Sequence, residues 1–343
     1  MSVGDKLFGY AKAQMTTGRI DLERPPPLKL VERQLHETEG YLLEVVTSDF
    51  PFVSVLAQHL LKAGGKRLRV ALTFLGSAFG DRDPLREEDI RKLAAALELT
   101  HVATLQHDDI IDEADTRHGV PAVNKNWTNT LSVLSGDYLF AKSSLLAAEV
   151  GGEVPIVLAA TIAALCEGQV KEIEAAFQTE RAPEAYLEVI ERKTARLFAS
   201  AAYLGARVGG ADMEVAKKLE RYGITFGLVF QLVDDLLDFL GDERKLGKPV
   251  GTDLKEGVYT LPLLHALQER GDVADLVKSE KDLPRLVETL HETGSFKYAR
   301  AETLRYANEA REIARSLADV PERESLESLI DFVVERIPST AAA

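Results

Sequence analysis

The sequence predicts an all-α protein. Apolar residues recur at three- and four-residue spacing almost throughout, no run alternates with the two-residue period of a strand, and Gly, Pro or Asp breaks the pattern at helix-length intervals. A helix over 29–47 follows the proline cluster at 25–27, and a second over 51–79 opens at Pro51. The clearest run is 91–115: Leu93, Leu97, Thr100, Val102 and Leu105 keep the spacing with no proline, which predicts one long helix ending in a loop at 115–126. Further helices are predicted over 129–150, 154–178, 183–208 and 212–240, then, beyond a glycine-rich connector at 241–257, over 258–269, 297–317 and 322–337. No linker separates halves of different composition. The expectation is a single all-helical domain over 29–343, preceded by a loose N-terminal arm at 1–28.

Composition narrows the function. With 343 residues, 45% of them hydrophobic, the chain can bury a large core. A formal charge of -14 repels a nucleic-acid backbone, so no nucleic-acid partner is expected. The lone Cys166 cannot form an internal disulfide, which fits a reducing, cytoplasmic setting. The opening stretch MSVGDKLFGYAKAQM carries Asp5 and lacks a signal peptide's apolar core, and the apolar run at 154–166 is short for a bilayer span. The expectation is a soluble protein with at most peripheral membrane contact.

The stretch LQHDDIIDEADTRHG (105–119) sets dense negative charge into an apolar helix. At about 100° per residue Asp108 and Asp112 project from nearly the same side, with Asp109 about a quarter-turn away. Such a pair repels by ~0.2–0.5 kcal/mol on an exposed helix, so a cation should compensate. A solvated helix end with Arg117 nearby is the plain reading. The spacing returns, however, at Asp234, Asp235 and Asp238, framed by Phe230, Leu232, Leu236 and Phe239. Two carboxylate clusters on two helices suit hard divalent cations, and magnesium normally shares substrate phosphates, so a polyphosphate ligand is expected. Basic elements complete the set. GGKRLR (64–69) offers Lys66 and Arg69 beside two glycines at a helix start, ERKTARLF offers Lys193 and Thr194, and LGKPVGTDLKEG offers Lys248 on a connector able to close over phosphates.

Over about 52–267 these motifs resemble the trans-polyprenyl diphosphate synthases, relatives of farnesyl and geranylgeranyl diphosphate synthase. The resemblance rests on GGKRLR, DDIID, DDLLD, the KT pair, Gly168-Gln169, and GKPVGTDL followed by TLP at 260–262. It implies a helical isoprenoid-synthase bundle around a deep central cavity, a homodimer and three magnesium ions. The implied reaction condenses an allylic prenyl diphosphate with isopentenyl diphosphate, head-to-tail. Residue by residue, it implies Asp108, Asp112 and Asp234 as metal ligands, supported by Asp109, Asp235 and Asp238. Lys193, Lys248 and Arg117 would hold the allylic diphosphate, Thr194 and Gln231 would line the reaction site, and Lys66, Arg69 and His101 would hold isopentenyl diphosphate. Pyrophosphate released in the reaction would take the proton, and no nucleophilic side chain is required.

Two departures stand out. His118 occupies the place of the family's second arginine, exchanging a permanent guanidinium fork for a partly charged ring, so isopentenyl diphosphate should bind more weakly as pH rises through the histidine titration. Val70 replaces the usual proline of GGKRLR and bears only on the helix start. Ala103 and Thr104 sit about one turn, ~5.4 Å, before Asp108, where short-chain relatives place bulky aromatics. Small residues there predict a product longer than geranylgeranyl, with the true floor among Leu134, Tyr138 and their neighbours.

Rival readings explain less. A di-iron bundle would use pairs such as Glu98/His101 and Glu288/His291, but leaves both aspartate motifs unaccounted for. A terpene cyclase would not need GGKRLR. A short-chain synthase or a non-catalytic partner subunit remains as the alternative, and such subunits tend to lose an acidic motif that this chain keeps. His36, His59 and His265 read as structural or exposed, His107 as a neighbour of the acidic cluster, and Trp127 as packing under the loop. The charged segment around Glu322, Arg323, Glu324 and Glu327 reads as a solvated face.

Overall fold

The structure, a computed structural model, describes residues 26–242, 250–278 and 283–342. The expected arm therefore lies outside the described residues except at its end, where Leu28 is fully buried within a 3-10 turn, Pro26–Val31.

The helices follow in order: α1 (Glu32–Val45), α2 (Pro51–Lys62), α3 (Leu68–Ser77), α4 (Glu87–Ile111), α5 (Val123–Asn126), α6 (Asn129–Val150) and α7 (Val154–Glu174). Then come α8 (Pro183–Ile190), a π-turn (Glu191–Ala195), α9 (Arg196–Val208), α10 (Met213–Leu240), α11 (Thr252–Lys255), α12 (Leu261–Glu269), α13 (Val273–Lys278), α14 (Leu283–Glu292), α15 (Ser295–Arg315) and α16 (Pro321–Val334). Two compact units emerge. The first comprises residues up to Phe74 with Asp83–Leu158; the second comprises Leu75–Arg82 with the residues from Ala159 onward.

Local chemistry sets the ends of these helices. Thr128 caps α6 through Leu131 N–H at 3.2 Å, and Asp212 caps α10 through Val215 N–H at 2.8 Å. Proline opens α2, α8 and α16, where its missing N–H costs nothing. The sequence reading missed several features. The expected 51–79 helix breaks at 63–67, because Gly64 and Gly65 take φ of 93° and 146° and Arg67 takes 51°. Lys66 consequently lies before α3 rather than one helical turn from Arg69. The 91–115 helix is shifted to Glu87–Ile111. Strand pairing also occurs: β1 (Thr116–Arg117) and β2 (Val120–Pro121) form a minimal hairpin around His118-Gly119, whose φ of 50° and 76° suit a type I′ turn. The short α13 and α14 were not read, although Leu286 and Leu290 bury an apolar face.

In the first unit α4 packs on α6 through small polar side chains. Ser143 donates to Ala96 O at 2.7 Å and Ser132 to Gln106 O at 2.9 Å. In the second unit α10 approaches α9 at Gly223 and the π-turn at Gly227, where an added Cβ would stand 2.5 Å from the Cα atoms of Ala199 and Ala195 respectively. Phe198 packs edge-on against Phe226 at 5.3 Å, and Tyr222 anchors α16 by donating to Leu326 O at 2.7 Å. Among the described residues, α7 is long and apolar enough to cross a membrane by length and composition, with mean hydropathy 1.4 and 28% of that window buried. The apolar run at 154–166 was read as short for a span, whereas the helix it opens, expected over 154–178, runs to Glu174 and leaves Val170 and Ile173 each 54% exposed.

Candidate active site

The first acidic motif closes α4. Asp112 N–H bonds Asp108 O at 2.8 Å, and Glu113 then turns left-handed with φ of 50°, ending the helix. Asp108 and Asp112 are half-buried, whereas Asp109 is fully buried. Arg117 grips Asp109 Oδ1 from Nε at 2.8 Å and from Nη2 at 2.7 Å, and Asn124 donates to Asp109 O at 2.9 Å. Burial raises the Asp109 pKa, with Arg117 opposing. Asp109 thus fixes the hairpin carrying Arg117 and His118, while its two neighbours keep partial access to solvent. His107, just before Asp108, is locked onto α6: its Nε2 lies 3.2 Å from Val133 O, and a Cβ at Gly136 would stand 2.2 Å from that nitrogen.

A basic cluster forms in the same unit. Arg67 is buried and donates to Glu98 at 2.8 Å and to Leu61 O at 2.7 Å, which rigidifies the glycine-rich turn. This commits Glu98 to an ion pair rather than to the Glu98/His101 metal pair. Burial pulls the Arg69 guanidinium down to about 10, with Glu98 opposing, so it stays charged near neutrality. His101 is held well below the usual histidine range by burial and then by Arg69, His118, Arg67 and Arg117. His118 belongs to an exposed turn, yet a Cβ at Gly65 would touch its ring at 3.7 Å. Desolvation of that ring, then Arg117 and Arg67, lower its pKa, with Glu98 and a backbone bond to Gly64 opposing. The structure therefore gathers Arg69, His101, Arg117 and His118, with Lys66 exposed alongside in the sequence. Ala103 is fully buried and Thr104 donates to His101 O at 2.7 Å. Leu134 is 58% exposed, while Tyr138 reaches Thr47 O at 3.4 Å.

The second unit holds the other motif. Lys193 and Thr194 sit in the π-turn, a bulge of a kind frequent at functional sites. Gly168 permits it, since a Cβ there would meet Lys193 N at 2.7 Å, and Lys193 pairs with Glu172. Thr194 donates to Gln231 at 2.9 Å and Gln231 to Asp235 Oδ1 at 3.0 Å, while Tyr186 donates to Asp235 Oδ2. Burial and then Asp253 raise the Asp235 pKa well above the usual carboxylate range, against the pull of both donors. Asp238 is also buried and fastens the 251–253 turn, accepting Gly251 N–H at its backbone oxygen (2.7 Å) and Asp253 N–H at Oδ2 (3.3 Å). Asp234 alone of the three is substantially open, with its side chain 45% exposed. Lys248 lies outside the described residues.

Tyr186, Asn124 and Arg336 were missed by the sequence reading. Tyr186 and Asn124 look like ordinary core and loop residues, and Arg336, 3.1 Å from Asp234 Oδ1, lies far away in sequence. Among the described residues no three His, Cys, Asp or Glu form a ready metal group. The half-open carboxylate oxygens of Asp108, Asp112 and Asp234 are hard donors of the kind a divalent cation such as magnesium takes.

The polyprenyl synthetase family model matches residues 51–293. The nonaprenyl diphosphate synthase of Mycobacterium tuberculosis is 37% identical over 311 residues, covering 88% of this chain and 90% of the relative. Heptaprenyl diphosphate synthase component 2 of Bacillus subtilis is 34% identical over 315 residues, covering 90% and 88%. A polyprenyl synthase from Caulobacter crescentus, solved with calcium and isoprenyl diphosphate, superposes with a TM-score of 0.84 at 34% identity, covering 91% of this chain and 97% of that one. The fold is the all-helical polyprenyl synthase fold. The chain belongs to the polyprenyl synthetase family, whose chemistry is the elongation of prenyl chains.

Proposed function

We propose that this chain is a trans-prenyltransferase that condenses an allylic prenyl diphosphate with isopentenyl diphosphate, repeatedly and head-to-tail, to give a long-chain all-trans polyprenyl diphosphate and pyrophosphate. The observation that carries this reading is the pair of aspartate turns, each leaving open the carboxylates that metal binding needs: Asp108 and Asp112 on one, Asp234 on the other. These three would hold magnesium, three ions in all. When bound, magnesium neutralises charge on the departing diphosphate. Lys193, Lys248 and Arg117 add fixed positive charge to the allylic diphosphate, and Thr194 and Gln231 line the reacting end of the substrate. Lys66, Arg69, His101 and His118 hold isopentenyl diphosphate, the two histidines as neutral donors near neutral pH. Asp109, Asp235 and Asp238 serve from behind, each buried and engaged by protein donors.

The long product is supported by the small Ala103 and Thr104 and by the name of the nonaprenyl relative. Residues from 29 onward act as one synthase domain in a cytoplasmic homodimer, with at most peripheral membrane contact during product release. Exposed apolar residues such as Val170 and Ile173 on α7 are suited to a subunit seam. A second reading, one subunit of a two-component synthase, is favoured by the Bacillus subtilis relative named component 2. One experiment tests both. The purified chain alone, given farnesyl diphosphate, labelled isopentenyl diphosphate and magnesium, should yield dephosphorylated products longer than geranylgeraniol on chromatography. No incorporation overturns the single-chain enzyme, and products stopping at geranylgeranyl overturn the long-chain assignment.

A further inference from the structure

We propose that Arg336 is a built-in counter-ion of Asp234 that a divalent cation must displace. Its Nη2 lies 3.1 Å from Asp234 Oδ1, and its guanidinium carbon lies 6.0 Å from the ring centroid of Phe230, one helical turn earlier on α10. The arginine is delivered by an anchored helix end. Leu326, Leu329, Ile330 and Val333 bury α16, Arg336 N–H bonds Val333 O at 3.2 Å, and Ala341 is fully buried just beyond.

The surroundings explain why a cation belongs there. Asp234 is followed by the buried Asp235 and Asp238, and Asp253 acts electrostatically on Asp235. The guanidinium offsets this negative charge before any metal arrives. A divalent cation on Asp234 brings twice that charge to the same carboxylate and repels the arginine. The existing pair is easily broken: it makes a single-point contact, its side chains are 27% and 45% exposed, and Nη1 is buried without a hydrogen-bond partner. Arg336 therefore sets a threshold for metal entry and couples α16 to metal occupancy.

The inference rests on Asp234 being a metal ligand, as proposed above, and the test separates the two. Magnesium is titrated calorimetrically, with saturating inorganic pyrophosphate present to share the ion, into the full chain and into R336Q, R336M, R336K and D234N, and unfolding midpoints are measured with pyrophosphate in EDTA and in magnesium. R336Q and R336M should bind magnesium about two- to five-fold more tightly than wild type, the range expected from losing a partly exposed pair. They should also show a larger magnesium-induced rise in midpoint, while R336K, which keeps the charge, stays near wild type. R336M preserves packing over Phe230 and guards against a folding defect in R336Q. Unchanged or weaker binding by both, with D234N clearly impaired, overturns the counter-ion role. D234N binding as wild type does would overturn the ligand assignment and the inference with it.

Discussion

Replacing His118 with arginine restores the guanidinium that the sequence lacks, and the structure indicates how much this should matter. The ring sits at a left-handed turn position beside Gly65, in a setting already rich in positive charge from Arg117 and Arg67, with Glu98 the carboxylate among its electrostatic neighbours. Its pKa is lowered, so at neutral pH it is uncharged and contributes a neutral hydrogen bond. A charge-assisted bond is worth about 1.5–3 kcal/mol against about 1 for a neutral one. Solvent exposure of the turn and repulsion from Arg117 reduce the difference to roughly 1 kcal/mol, or about five-fold in affinity. The assay is the KM for isopentenyl diphosphate between about pH 5.5 and 8.5, where histidine titrates. Because the pKa is depressed, protonation of the wild type occurs below the ordinary histidine value of about 6.5. The ratio of wild-type to H118R KM should be about five and flat above neutrality, and should fall toward one in acid as His118 becomes charged. The substrate's own titration cancels in that ratio. A ratio of one at all pH values, or one that grows in acid, would refute the reasoning.

Three further outcomes follow from particular contacts. Ala103→Phe places an aromatic ring one turn before Asp108 and should shorten the product distribution on chromatography; unchanged products would remove Ala103 from chain-length control. Gly168→Ala drives a Cβ to within 2.7 Å of the Lys193 backbone nitrogen. The π-turn must then shift, and kcat should fall by at least about ten-fold, as for other small misplacements of reacting groups, with secondary structure intact by circular dichroism. Gln106 is fully buried on α4 and neither amide atom finds a hydrogen-bond partner, so Gln106→Leu should stabilise the chain by about 1–3 kcal/mol in denaturant unfolding.

The sequence made the helices legible because one dominant interaction, burial of an apolar stripe, repeats every three to four residues. It also revealed both acidic motifs, since carboxylates inside an apolar helix need a reason to be there. What escaped it depends on backbone detail or distant contact. The break at Gly64-Gly65 and the hairpin at His118-Gly119 arise from two or three residues of positive φ, which leave little trace in periodicity. The π-turn adds one residue without disturbing the apolar pattern on either side. The resemblance marked Asp109 and Asp235 as supporting residues, but the contacts that hold them within the protein, from Arg117 and Tyr186, left no trace in the sequence. Arg336 drew no notice in the sequence, and it is the packing of α16, including its bond from Tyr222, that brings it to Asp234.

The most direct test of the central claim is the rate at which Asp234→Asn incorporates isopentenyl diphosphate at saturating magnesium. Asparagine keeps the side chain's shape but removes the negative charge that attracts a cation. A loss of at least about a hundred-fold, on the order seen when a positioned charge-stabilising group is removed from an active site, is the expected result. A rate within two-fold of wild type (~0.4 kcal/mol) would contradict the account.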